Sequence, residues 1–234
     1  MHIHFSLNDS RGENVFASPV NALSSMMRLC IAGQLALMPA SVAILAPGVN
    51  AFRRLRKNLT EPVFNSWGYN TRSAALRIPC SDESNRRIEY RLAGADANPY
   101  LVVATILTGM LYGLEHIDEG DLPEPQHDQP ELPLFQQEAI EAFARCQYLT
   151  DSLGDAFSEQ WVACKLSELD WFERIVTQEE SRVAWGIKKA RSGSGPGMAR
   201  NDYFLRAYFS ESSATTKIMM APLMMYCQYG FTPM

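Results

Sequence analysis

The fold class this sequence predicts is α+β, and three observations predict it. Short stretches near residues 1–6, 71–79 and 85–91 alternate apolar and charged residues with the period of two that marks a strand. Two long apolar stretches, about 19–45 and 100–114, are too long for strands and read as helices. Two further helical patterns, 134–146 and 158–180, follow an acidic, proline-rich loop.

The first strand, Met1–Ser6, puts His2 and His4 on one face and Ile3 and Phe5 on the other. Asp9–Gly12 reads as a turn. The first helix is expected over Pro19–Leu45, with Ser18 as N-cap and Pro19 at the first helical position. Pro39 should break or kink it, and Pro47-Gly48 should end it. Arg53, Arg54, Arg56 and Lys57 then form a basic run in a polar loop, a pattern that usually marks a solvated surface.

Thr71–Pro79 carries Arg72 and Arg77 among small and apolar residues. The stretch 85–91 places Arg87, Glu89 and Arg91 on one face, with Ile88 and Tyr90 on the other. Such a strand suits a solvated sheet edge, where charge blocks aggregation. Together the three stretches offer imidazoles, a carboxylate and several guanidiniums, a set suited to a divalent ion and phosphate.

Asp96–Pro99 starts the second helix, whose apolar run 100–114 predicts burial. Residues 115–133 read as a surface loop, and the irregular spacing of His116 and His127 weighs against a metal site there. In the last helix, Trp161, Leu166, Leu169, Trp171, Phe172 and Ile175 are expected in the core.

The motifs MHIHFSL, NAFRRL, NTRSAALRIP, RRIEYRL and GADANPYL occur in this order. Up to about residue 180, the chain resembles the C-terminal half of the catalytic domain of the glutamine synthetase family. The wording of Ala32–Ala36 and Ser66–Asn70 is closest to its γ-glutamylputrescine synthetase branch. The resemblance implies an antiparallel sheet backed by helices, forming part of that catalytic domain. The family's N-terminal region, a small β-grasp domain and the first half of the active-site barrel, is not represented.

It also implies a glutamate–amine ligase. ATP would phosphorylate the side-chain carboxylate of glutamate, and an amine such as putrescine would displace the phosphate. His2 and Glu89 match the family's metal ligands, for Mg²⁺ or Mn²⁺. His4, Ser6 and Arg87 match nucleotide-binding positions. Arg72 and Arg77 match the catalytic arginines on the transferred phosphate, and Arg54 and Arg91 match those on glutamate. Where ammonia-using members carry a glutamate, this chain has Thr60, with Glu61 one residue along. That departure fits a larger amine. The alternatives are an ammonia-using member or a non-catalytic remnant that serves as an interaction module. One matching carboxylate cannot hold two Mg²⁺ ions, so the chain alone is expected to be inert.

The chain of 234 residues is 47% hydrophobic and 20% charged, as a globular protein is. A net charge of −5 argues against nucleic-acid binding. Five scattered cysteines without a CxxC suit a reducing cytoplasm. No signal-peptide pattern and no membrane span are expected. By resemblance, the intact protein is a homo-oligomer. Residues 181–234 have seven basic and two acidic side chains, against fourteen and twenty-four before them. This basic, Met-rich tail matches nothing in the family and is expected to be poorly ordered.

Overall fold

The computed structural model describes residues 1–19, 22–57, 62–125, 130–183 and 185. Residues 1–174 belong to one compact unit, and the described residues from 175 on to a second. In the first, four short strands build one sheet in the order β1-β4-β3-β2: Ile3–Phe5 (β1), Trp67–Tyr69 (β2), Leu76–Ile78 (β3) and Ile88–Tyr90 (β4). β4 pairs antiparallel with both β1 and β3. The expected antiparallel sheet is therefore present, and β2 extends it by pairing parallel with β3.

The register sorts the side chains by face. His4 lies opposite Glu89, and Glu89 opposite Arg77. Ile3 and Leu76 flank Tyr90, so the other face is apolar. That face joins a core with helix α1 (Ser25–Leu45) and helix α2 (Pro99–His116). Burial of Leu76, Ile78, Ile88, Tyr90, Met27, Ile31 and Met38 removes their surface from water, at about 25 cal/mol per Å².

α1 starts later than its sequence suggests. Ser24, not Ser18, is the N-cap, and its side chain accepts from the Met27 N–H. Ser18 is buried, and its hydroxyl donates toward the carbonyls of Phe16 and Ala22. The carbonyls of Ser18 and Pro19 accept from the buried Arg86 guanidinium. A helix running through them would compete for those acceptors.

Pro39 does not end α1. A proline at this position lacks the N–H that would bond the Leu35 carbonyl. Asn65 supplies the missing donor, with its Nδ2 2.9 Å from that oxygen. By length and composition α1 could cross a membrane, but 78% of its most apolar window is buried inside the protein.

α1 and α2 approach so closely that no β-carbon fits between them. One built on Gly33 would collide with the Gly109 carbonyl and the Gly113 backbone. One on Gly113 would collide with the Leu29 carbonyl, and one on Gly109 would lie 2.8 Å from Gln34 Oε1. Buried Gln34 donates to the Ile106 carbonyl at 2.5 Å. α2 begins as expected, with Asn98 as N-cap and Pro99 in the first turn. Its burial is one-sided: Val102, Ile106 and Met110 are inside, while Tyr100, Val103, Leu107 and Leu111 are exposed. Among the described residues, α2 packs on α1 and α4.

The basic run begins in a 3₁₀ turn, Val49–Arg53, whose Ala51 and Phe52 are buried. Helices α3 (Gln136–Arg145), α4 (Gln147–Leu153) and α5 (Asp155–Glu173) complete this unit. α4 was not expected. The aromatic stripe on α5 corrects its core assignment. Among the described residues of α5 only Ser158 is buried, Leu166 and Trp171 are exposed, and Trp161 is half-buried. The helix packs on α3 and α4 and leaves much of that stripe in solvent, with Lys165 over the Trp161 ring at 4.7 Å.

In the second unit, residues 178–183 are helical. Thr177 and Glu180 form a reciprocal capping box: the Thr177 N–H donates to Glu180 at 2.7 Å, and the Glu180 N–H to Thr177 Oγ1 at 3.2 Å. The poorly ordered tail expected from 181 falls almost wholly outside the described residues, as do Thr60, Glu61 and His127.

Candidate active site

The charged face of the sheet converges on Glu89. This residue is 3% exposed, although it lies on the side of β4 away from the core. Its carboxylate accepts from Arg77 Nη1 at 2.7 Å, the shortest of three contacts, each from a different chain segment. Arg91 Nη1 lies 3.3 Å away, and His2 Nδ1 3.0 Å away. Strand parity explains the convergence. His4 and Arg77 stand directly across from Glu89 on the two neighbouring strands, and His2 and Arg91 lie two residues along on the same face.

Burial pushes the Glu89 carboxyl up. The Arg77 hydrogen bond and the charges of Arg91, Arg77 and His4 outweigh it and hold the group below the usual carboxylate value. Glu89 is therefore an anion at neutral pH, and the cations around it keep a buried charge tolerable. Two of the arginines are not fully used: Nε of Arg77 and of Arg91 is buried without a hydrogen-bond partner.

The remaining expected residues lie around this cluster. Arg87 places its Nε 3.3 Å from His4 Nδ1. Arg54 follows the 3₁₀ turn and donates through Nη2 to the Leu92 carbonyl at 2.5 Å. Arg72 and Ser6 are exposed, Arg72 on the Thr71–Ser73 turn and Ser6 just past β1. Neither has a described contact with Glu89. The structure thus brings together His2, Arg77, Arg91 and Glu89, and leaves Arg72 and Ser6 outside their contacts.

Asn70 belongs to the cluster and was not singled out in the sequence. Its Oδ1 accepts from Arg77 Nη2 at 2.6 Å. The available signal was an asparagine directly after a short apolar stretch, a residue that tolerates left-handed backbone.

The donor set is thin for a metal. Among the described residues no group of three or more His, Cys, Asp or Glu side chains comes together. Glu89 and His2 could supply two donors, whereas Mg²⁺ prefers near-octahedral oxygen coordination. The described residues by themselves do not build a magnesium centre.

Comparison with known proteins gives the family. The family model described as glutamine synthetase, catalytic domain, matches residues 1–184. γ-Glutamylputrescine synthetase of Escherichia coli K12 is 42% identical over 196 residues, covering 81% of this chain and 41% of that protein. γ-Glutamylethanolamide synthetase of Streptomyces coelicolor is 34% identical over 187 residues, covering 77% and 40%. A solved GmaS/ADP complex superposes with a TM-score of 0.70 at 27% identity, over 79% of this chain and 45% of that one. The chain therefore spans about two-fifths of the length of these curated relatives. Five ordered motifs, a sheet that gathers charged residues of three of them on one carboxylate, and a family match from residue 1 to 184 make this chain a member of the glutamine synthetase catalytic-domain family.

Proposed function

We propose that this chain is the phosphate- and glutamate-binding half of an ATP-dependent glutamate–amine ligase that works through a γ-glutamyl phosphate. The observation that carries the reading is the buried Glu89 carboxylate, contacted by Arg77, Arg91 and His2 on a face otherwise shielded from the core. A carboxylate is a poor electrophile, and phosphorylation turns its oxygen into a leaving group. That step needs positioned cations more than covalent help. Arg77 is assigned to the transferred phosphoryl group, joined by Arg72 on its exposed turn. Arg91 and Arg54 are assigned to the carboxylates of glutamate, where guanidinium forks match planar anions. His4, Ser6 and Arg87 are assigned to ATP. His2 and Glu89 contribute two donors toward Mg²⁺ or Mn²⁺, and the remaining ligands belong to the longer protein.

The amine is assigned as putrescine or a similar alkylamine. The curated relatives named for putrescine and ethanolamide support this, as does 40% identity over 117 residues to a glutamate–isopropylamine ligase of Pseudomonas. Thr60 in place of an anion fits the same reading. A cytoplasmic setting and homo-oligomeric assembly are proposed with it. The four described cysteines, all free thiols, suit a reducing compartment.

The test is ATP-dependent phosphate release with glutamate and Mg²⁺, using this chain alone and then together with the family's N-terminal half. The chain alone should be inert. The combination should turn over, with kcat/KM higher for putrescine than for ammonium. Turnover by the chain alone that Glu89→Ala abolishes would show that no further half is needed. An ammonium preference would overturn the amine assignment.

A further inference from the structure

We propose that Asn70 is a positioning residue for Arg77, fixing the rotation of its guanidinium for the phosphoryl group assigned to it above. The proposal rests on that functional reading only for the identity of the anion.

Asn70 has φ +46°, the only non-glycine with positive φ among the described residues. The left-handed region is unfavourable for side chains that carry a β-carbon, and glycine would adopt it freely. The conformation has a local cause. β2 and β3 run parallel, yet only residues 70–75 return the chain from the end of one to the start of the other. Parallel pairs ordinarily need a dozen or more connecting residues, so this chain must turn back sharply, and it does so at Asn70. Its N–H donates to the Ile78 carbonyl at 2.9 Å, which anchors the turn to β3.

A turn alone would be served by glycine. Asparagine adds an acceptor, and that acceptor meets one site residue. Arg77 Nη2 is 2.6 Å from Asn70 Oδ1, while Arg77 Nη1 is 2.7 Å from Glu89 Oε2. The guanidinium is held at both terminal nitrogens by groups on opposite sides, one buried and charged, the other neutral and at the surface. Rotation about the Cζ–Nε bond would break both contacts. A guanidinium held this way reaches its ligand with its rotation already fixed, and small misplacements of such groups are costly in catalysis.

Two substitutions separate the turn from the acceptor. Asn70→Gly keeps the backbone conformation and removes the acceptor. Asn70→Asp keeps the acceptor and tolerance of the left-handed region. The readout is the ¹⁵N–¹H spectrum of arginine side chains in the full chain, with Arg77 assigned through Arg77→Lys. The unsubstituted protein should show separate, slowly exchanging Nη protons for Arg77. In Asn70→Gly, thermal stability should stay within a few degrees while these signals merge. In Asn70→Asp they should persist. Separate signals in Asn70→Gly would overturn the proposal, and so would their loss in Asn70→Asp, even if the glycine variant failed to fold. ATP with Mg²⁺ is then titrated into the same samples. Where the unsubstituted chain binds, Asn70→Gly should weaken binding about tenfold, the loss expected for one charge-assisted hydrogen bond; unchanged affinity would overturn the link to the ligand. If none of the samples binds, the titration is repeated with the family's N-terminal half added, where absence of binding refutes the functional reading, and the spectra still decide the role of Asn70.

Discussion

Replacing Glu89 by glutamine tests whether the cluster is held by charge. Glutamine keeps the size and one acceptor oxygen but removes the anion. The side chain of Glu89 is 4% exposed, and those of Arg91 and Arg77 are 8% and 22% exposed. Leaving two such guanidiniums together without their counter-ion falls in the range measured for breaking buried ion pairs, about 3–5 kcal/mol. His2 is 41% exposed and adds little. Arg77 keeps some solvent, so the lower end applies, and we expect Glu89→Gln to lower the unfolding free energy by about 3 kcal/mol. Urea denaturation at pH 7 followed by far-UV circular dichroism measures it. The same experiment as a function of pH gives an independent check. The Glu89 carboxyl is held below its ordinary value of 4.5, so its contribution is complete above that pH and is lost as pH falls through the folded-state value. The unsubstituted protein should therefore lose more stability on acidification than Glu89→Gln does. A loss under ~1 kcal/mol at pH 7 together with parallel acid limbs would show that the carboxylate is not what holds the arginines.

Two further outcomes are expected. Gly33→Ala forces the α1 and α2 backbones apart and should cost about 1–3 kcal/mol or more in the same urea assay; a neutral result would mean that the helices separate freely. The Cys30 thiol, its pKa pushed up to about 12 by burial, should resist a thiol-reactive dye at pH 8 in the native protein, whereas exposed Cys80 and Cys164 should react at once. Labelling of Cys30 at the rate of the exposed pair would show that α1 opens locally.

Much of the site was legible because a strand's side-chain period is fixed. Once 1–6 and 85–91 read as strands, His2, His4 and Glu89 had to lie on defined faces, and antiparallel pairing placed them together. Arg77 was legible for the same reason. What was not legible came from contacts between residues far apart in the chain. Ser18-Pro19 has every local mark of a helix start, but the buried Arg86 guanidinium takes its carbonyls. Pro39 has every mark of a helix break, but the side chain of Asn65, 26 positions later, supplies the missing hydrogen bond. β2 contains a glycine and shows no alternation, and its parallel partner lies closer in sequence than such pairings allow by rule. The stripe on α5 repeats at helical spacing, but spacing shows only that residues share a face, not that anything covers it.

The contact between α1 and α2 sets how these helices can drift in evolution. Where one side chain obstructs another, a larger residue on one helix is compensated by a smaller one opposite. At Gly33 and Gly113 the obstruction is backbone, and nothing smaller can replace a carbonyl or a Cα. Neither position has a compensating partner, so both should stay glycine for as long as the two helices keep this crossing. Gly109 differs, because its obstruction is the side chain of Gln34. Positions 34 and 109 can therefore change together, an alanine at 109 requiring a shorter side chain at 34 and another donor for the Ile106 carbonyl.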